Sequence, residues 1–267
     1  MSGPAISAIV RAKDKAGTIE ATLRSLRRQT VPVEIVVVDS GSTDGTRTLA
    51  ARYADRVLDL APGEFTYGRA LNVGAAAAGG AVHAALSAHC TLTRDDWLER
   101  ALAHYERPDV AATNGDRHDA DGVPLGAPLL QTIDHARRAW GWGYSNHAST
   151  WRADVWRQAP FDEHLVAEDK EWLGAGWLIA HDPALFVSGG HRQAQGLSQY
   201  YRRVQREAEA YAGFAPVPPL GMAGAARRWW RVAPGEPAIR RRASPMRSAG
   251  IAGTWTGRRR GLRRAGR

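Results

Sequence analysis

The spacing of hydrophobic positions changes repeatedly along the first hundred residues. Residues 5–10, AISAIV, form a short apolar run of the kind a strand shows when both its faces are covered. A polar loop follows, and Thr18 is placed to cap a helix whose apolar stripe is Ile19, Leu23 and Leu26. Val31 and Pro32 end that helix. Residues 33–38, VEIVVV, are β-branched and almost wholly apolar, which predicts a central strand buried on both sides. They stop at the polar stretch 39–46, whose Ser and Thr residues can cap a helix over 47–53. A third strand is predicted at 57–60, a small-residue helix at 70–79, a fourth strand at 81–86 and a helix from Asp95 and Asp96 to Tyr105.

Four strand–helix alternations in about a hundred residues predict βαβ units and a doubly wound parallel sheet, because parallel neighbours need a crossover. Ligands of such sheets bind beyond the carboxyl ends of the strands. That directs attention to residues 11–15, 39–44 and 87–90. Beyond Asp109 the periodicity fades. Residues 114–150, rich in Gly, His, Asp and Trp, read as loops over a cleft. A helix is expected from Leu165 within 161–177 and another over 200–211, after which Pro216, Pro218 and Pro219 break the pattern.

Composition changes this picture in two ways. Of 267 residues, 44% are hydrophobic, enough for a sizeable core, yet no apolar run approaches the ~20 residues of a membrane span. No basic region followed by an apolar run opens the chain, so no secretory signal is expected. Cys90 is the only cysteine, which excludes an internal disulfide and fits a reducing cytoplasm. The net charge of +9 is localised: residues 212–267 carry 13 arginines and one acid, Glu236, a charge of +12 that leaves −3 for the body. A mildly acidic body argues against a nucleic-acid-binding core. The basic segment, with Trp229, Trp230 and Trp255, instead suits an anionic membrane surface, at roughly 1 kcal/mol per arginine near it. A disordered soluble extension is the alternative. The expected location is the cytoplasm, with peripheral contact at the inner membrane face.

Four segments, in order, carry a resemblance: Gln29-Thr30, the string VDSGSTDGT at 38–46, FTYGRALNVG at 65–74, and FDEHL at 161–165 followed by EDKEW at 168–172. Together they resemble family 2 glycosyltransferases, which have the GT-A fold, over about residues 5–211. The resemblance implies a Rossmann-like α/β fold with a mostly parallel central sheet and helices on both faces. It also implies a bacterial, inverting enzyme that moves a hexosyl or deoxyhexosyl group from a nucleotide-sugar to an acceptor hydroxyl on a glycan, a lipid-linked sugar or a natural product. The transferase domain would be 1–211, with a nucleotide-binding half at 1–110 and an acceptor-side half at 111–211, and 212–267 would be an Arg/Gly/Pro-rich extension.

Site residues follow from both sources. Asp39 ends a central strand, where an ionised carboxylate accepts hydrogen bonds from a nucleobase imide or ribose hydroxyls; the resemblance places the nucleoside there, and Asp44 is the better helix cap. Arg69 precedes a helix and can grip a diphosphate bidentately, or be a solvated arginine. Asn72 is expected to support the first strand's loop, or simply to pack. Arg11, Ser40, Ser87 and His89 complete the donor-side set. In the acidic pair Glu168-Asp169 the resemblance makes Asp169 the general base, the bland alternative being a charged helix face. Trp142, His147 and Trp172 are expected on the acceptor side.

One departure stands out. Where most GT-A enzymes hold a divalent metal with Asp-x-Asp, this chain has Ser87-Ala88-His89. Magnesium and manganese favour oxygen ligands, for which one imidazole substitutes poorly. His89 with His191 could form a softer metal site; His89, Arg69 and Arg192 could neutralise the leaving group without metal; or the chain binds nucleotide-sugars without turnover. A nucleotidyltransferase would need a Gly-rich basic loop after the first strand, and a dehydrogenase Gly-x-Gly-x-x-Gly. Gly17 is the only glycine in that loop. His118, His135, His164 and His181 read as surface or packing histidines.

Overall fold

A computed structural model describes residues 5–115, 126–138, 147–163 and 176–189, with single positions between 201 and 260. The chain divides into two compact units. The first comprises Met1–Arg117, Leu125–Thr132 and Gly143–Gly190; the second His118–Pro124, Ile133–Trp142 and His191–Arg267.

The first unit is built on an eight-stranded sheet. Its elements in chain order are β1 (Ile6–Ala12), α1 (Ile19–Arg27), β2 (Val33–Asp39), α2 (Thr46–Ala50), β3 (Arg56–Asp59), α3 (Tyr67–Ala77), β4 (Val82–Ser87), β5 (Thr91–Leu92), α4 (Trp97–Ala103), β6 (Val110–Asn114) and β7 (Leu129–Gln131). After α5 (Ile133–Arg138), which lies in the second unit, come β8 (Ala148–Arg152), α6 (Ala153–Gln158), β9 (Leu178–His181) and β10 (Val187–Ser188). The strand order is β3-β2-β1-β4-β8-β6-β9-β7, and β10 pairs separately with β5. β3, β2, β1 and β4 are mutually parallel.

β1 is buried at every position, Ser7 and Arg11 included, as its largely apolar pattern suggests. Alternate residues serve opposite faces. Ile6, Ala8, Val10 and Ala12 join Ile19, Leu23 and Leu26 of α1 and Leu98 and Ala101 of α4 in one core cluster. On the other face, a Cβ on Gly74 of α3 would lie 2.3 Å from Ile9 and 3.2 Å from Val38, so only glycine lets α3 seat this closely.

Three sequence expectations are corrected here. Thr18 precedes α1 without capping it; its hydroxyl donates instead to the Ala88 carbonyl at 2.8 Å, fastening the helix start to the turn after β4. α2 follows Gly45 in the left-handed conformation, with no side-chain cap from a Ser or Thr. Most consequentially, the stretch 114–150 is not all loop, because β8 begins within it and lies between β4 and β6, antiparallel to both. Its polarity disguised it. Thr150 is fully buried, yet its hydroxyl meets Tyr105 at 2.6 Å and Thr113 at 2.7 Å, so a polar residue sits in the sheet at no net loss of hydrogen bonds. The helix expected from Leu165 lies outside the described residues. In the second unit Tyr201, Arg202, Gln205, Ala208 and Glu209 are helical, and Tyr201 meets Thr256 through their hydroxyls at 3.1 Å.

Candidate donor site at the carboxyl edge

The carboxyl ends of β1, β2 and β4 meet at one edge of the sheet. Register sets Ala12 beside Asp39, and Arg11 between Val38 and Ser87. Two loops above this edge are stitched together. Asp14, at φ 49°, donates its backbone N–H to Ser42 Oγ at 2.9 Å, and its carboxylate accepts from the Thr43 N–H at 2.9 Å. The Lys15 N–H donates to Thr46 Oγ1 at 2.6 Å and the Ala16 N–H to Asp44 at 3.0 Å. Asp44 also accepts from the Thr46 hydroxyl and the Thr46 N–H, so its carboxylate organises the loop and the start of α2; the Thr46 hydroxyl bond first, then the Ala16 N–H, holds its pKa below the ordinary value.

Asp39 is 2% exposed. Its carboxylate accepts from the Ser42 N–H at 3.0 Å and from the Ser42 hydroxyl, and it makes no cap to α2. Ser40 is fully buried, and its hydroxyl has no hydrogen-bond partner among the described residues. Arg11 is buried, with its guanidinium 5.5 Å from the centre of the Tyr67 ring. Tyr67 and Phe65 pack edge to face and are the exposed large hydrophobic residues among those described.

Ser87, Ala88 and His89 occupy the turn after β4. The Ser87 N–H donates to the His147 carbonyl and the Ala88 N–H to the Arg11 carbonyl, so the turn is tied to β1 and to the entry of β8. Gly189, at φ +88°, closes behind it; a Cβ there would come within 2.0 Å of the His89 carbonyl. Burial lowers the pKa of His89, and the positive charges of Lys15, His147 and Arg11 push it the same way. At this turn the imidazole is therefore held toward its neutral form, with Arg11 and Lys15 nearby. Among the described residues no group of three His, Cys, Asp or Glu side chains could hold a metal ion. At the turn where Asp-x-Asp would stand, Ser87-Ala88-His89 supplies no carboxylate, the ligand through which magnesium or manganese would join the substrate phosphates.

Two donor-side expectations take a different form. Arg69 carries ion pairs to Glu163 at 3.3 Å and Glu64 at 3.4 Å rather than projecting alone. Asn72 does not support the first strand's loop: its amide is bonded entirely to the segment Trp156 to Glu163. Sequence reasoning had passed over Lys15, Tyr67 and Glu163 as site residues. The signal for Tyr67 and Glu163 was present, since both lie inside the strings that carry the resemblance. Trp142, Glu168, Asp169, Trp172, His191 and Arg192 lie outside the described residues.

Comparison with known proteins agrees with this architecture. A family model described as glycosyl transferase family 2 matches residues 7–163. Among curated proteins, the chain is similar to the O-antigen chain rhamnosyltransferase WbaN of Salmonella anatum, 29% identical over 100 residues that make up 36% of this chain and 32% of that protein. It is also similar to the glycosyltransferase AglE of Haloferax volcanii, 28% identical over 123 residues, 42% of this chain and 39% of that one. The matches thus span less than two-fifths of these relatives' length. Among solved structures, the mannosyltransferase PcManGT from Pyrobaculum calidifontis, in complex with GDP-Man and Mn2+, superimposes with a TM-score of 0.66 at 18% identity, covering 97% of this chain and 87% of that one. S. aureus TarS 1-349 in complex with UDP-GlcNAc does so with a TM-score of 0.56 at 17% identity, covering 98% and 92%. At these identities the likeness shows the fold, a GT-A-like α/β fold on a mostly parallel sheet.

Proposed function

The chain belongs to glycosyl transferase family 2, and we propose that it moves a sugar from a nucleoside diphosphate sugar to an acceptor hydroxyl with inversion at the anomeric carbon. The observation that carries this reading is the carboxyl edge itself, where a buried acceptor-only carboxylate and an unpartnered buried hydroxyl stand near two cations, Arg11 and Lys15. Asp39 and Ser40 suit a nucleoside, whose imide and ribose hydroxyls supply donors for a carboxylate. Arg11 and Lys15 suit a diphosphate.

In the reaction the acceptor hydroxyl gives its proton to a carboxylate as its oxygen bonds to the anomeric carbon. The bond from that carbon to the diphosphate oxygen breaks on the opposite face, and the nucleoside diphosphate leaves with the electron pair. The family resemblance assigns the base to Asp169, with Glu168 beside it. Charge building on the leaving group meets fixed cations already in place, and such preorganised charge needs no reorganisation during the reaction. Arg11 and Lys15 therefore take over the neutralisation that a metal supplies elsewhere, and turnover is expected to persist in chelator. Acceptors of this reading are glycans, lipid-linked sugars or natural-product hydroxyls, and the arginine-rich segment 212–267 brings the enzyme to an anionic membrane where lipid-linked acceptors reside.

A second reading rests on Ser87-Ala88-His89: a relative that binds nucleotide-sugars without turning them over. Calorimetry with UDP, GDP and dTDP tests the site first. One of them binds the wild type, and Asp39→Asn weakens it at least tenfold, the scale of a lost hydrogen bond to a charged group. Equal affinity in the variant would remove Asp39 from the site.

A further inference from the structure

Asn72 lies in the string that resembles the family's donor-binding signature, yet its bonds point elsewhere. Its Nδ2 donates to the Phe161 carbonyl at 2.8 Å and to Glu163 Oε1 at 3.1 Å. Its Oδ1 accepts from the Phe161 N–H at 3.1 Å and from Trp156 Nε1 at 2.9 Å. A side-chain amide offers two donors and two lone pairs, so all four are used. A ligand could bond to this amide only by displacing one of these partners.

Three neighbouring contacts act on the same segment. A Cβ on Gly68 would lie 2.3 Å from the Asp162 carbonyl, so the first turn of α3 seats directly on that backbone. Arg69 pairs with the second oxygen of Glu163 at 3.3 Å. Trp151 packs edge to face on Phe161 at 5.3 Å. The Arg69–Glu163 pair is about a third exposed on each side, where ion pairs contribute little. The half-buried amide of Asn72, reaching backbone and side chains together, is the stronger tie. At its other end the first turn of α3 carries Tyr67 beneath the Arg11 guanidinium. One helical turn therefore touches both the donor pocket and the segment 161–163.

We propose that Asn72, with Glu163 as its ionic continuation, is a positioning residue: it locks residues 156–163 to the head of α3 and so fixes the origin of the chain that leads, five residues on, to Glu168 and Asp169. This inference rests on the transferase reading given above. Five residues reach at most about 18 Å, so the acidic pair lies within that distance of Glu163. Misplacement by ~1 Å can cost a hundredfold in rate.

The test compares wild type with Asn72→Asp, Asn72→Ala and Glu163→Gln. Asn72→Asp preserves shape but replaces the two N–H donors with oxygen; Glu163→Gln keeps one oxygen to accept from Asn72 but removes the charge and replaces the oxygen that accepts from Arg69 with an NH2 group. Three quantities are read: amide hydrogen exchange over residues 156–163, binding of UDP, GDP or dTDP by calorimetry, and kcat and KM for hydrolysis of the corresponding sugar nucleotide. Both Asn72 variants are expected to speed exchange in that segment at least tenfold, leave nucleotide Kd within about twofold, and lower kcat ten- to a hundredfold with donor KM nearly constant. Glu163→Gln is expected to move the same readouts in the same direction by less. A tenfold loss of nucleotide affinity with unchanged exchange would make Asn72 a donor ligand, and faster exchange with unchanged kcat would make it a structural tie only. Wild type that binds nucleotide but hydrolyses none of these sugars would remove the transferase reading, and exchange and binding would still decide where Asn72 acts.

Discussion

At the scale of single residues, several polar groups lie buried in the sheet, Ser7, His83, Thr113 and Ser149 among them. His83 of β4 is 2% exposed, its ring packed against Trp151 and Trp156. Burial, reinforced by the nearby Arg157 charge, lowers its pKa to about 4. Between pH 6.5 and 4 the unfolded chain holds a proton on this residue that the folded chain refuses, so stability rises with pH across that window and falls as pH drops through it. The full loss is roughly 3 kcal/mol, an upper figure for one buried histidine. Urea denaturation at pH 7.5 and pH 5 should register it, and His83→Gln should flatten the slope; an unchanged slope would assign the acid sensitivity to other groups. Cys90, by contrast, is fully buried and its thiol is pushed up to about 11 by burial. It is expected to resist thiol-directed alkylation in the native protein and react once unfolded.

At the scale of elements, α3 is the piece on which the site depends. Thr66 caps it by accepting from the Arg69 N–H at 3.0 Å, and Gly68 and Gly74 let it sit against Asp162 on one side and the sheet on the other. Gly68→Ala would force a carbon into the Asp162 carbonyl, and a loss of about 1–3 kcal/mol in unfolding free energy is expected. Thr66→Ala should cost about 1 kcal/mol, the usual loss of a cap. Denaturation midpoints measure both, and a Gly68→Ala protein as stable as wild type would show that the 161–163 segment can retreat freely.

The first half of the sheet was legible because its central strands are largely apolar runs alternating with helices, a pattern that follows from burial on both faces. The helix ends were less so. Thr18 looks like a cap and is instead a tether to Ala88, a partner seventy residues away that no local pattern can reveal. β8 stayed hidden for the same reason: its buried Thr150 is satisfied by Tyr105 and Thr113 from distant elements. Asp39 and His89 are proposed for the site from their places after strand ends, whereas the bonding of Asn72 depends on a segment 84 to 91 residues further on.

At the scale of the whole molecule, charge is divided between an acidic body and an arginine-rich segment at 212–267. No helix among the described residues is long and apolar enough to cross a membrane. If that segment serves a membrane surface, removing residues 216–267 should lower binding to anionic vesicles and leave nucleotide affinity unchanged. Sedimentation with vesicles at two salt concentrations checks this, since attraction to a charged surface weakens with salt. Partitioning that survives the truncation would end the membrane role.

The central claim is that a family 2 site without Asp-x-Asp still transfers sugar, using fixed cations and a carboxylate base. Its most direct test is hydrolysis of UDP-, GDP- and dTDP-sugars, each with manganese and with chelator, by wild type and by Asp169→Asn. The account predicts that one donor is hydrolysed slowly in both lanes, and that the substitution abolishes this while nucleotide binding persists. Activity seen only with manganese would contradict the cationic mechanism, and binding without hydrolysis of any donor would contradict the transferase itself.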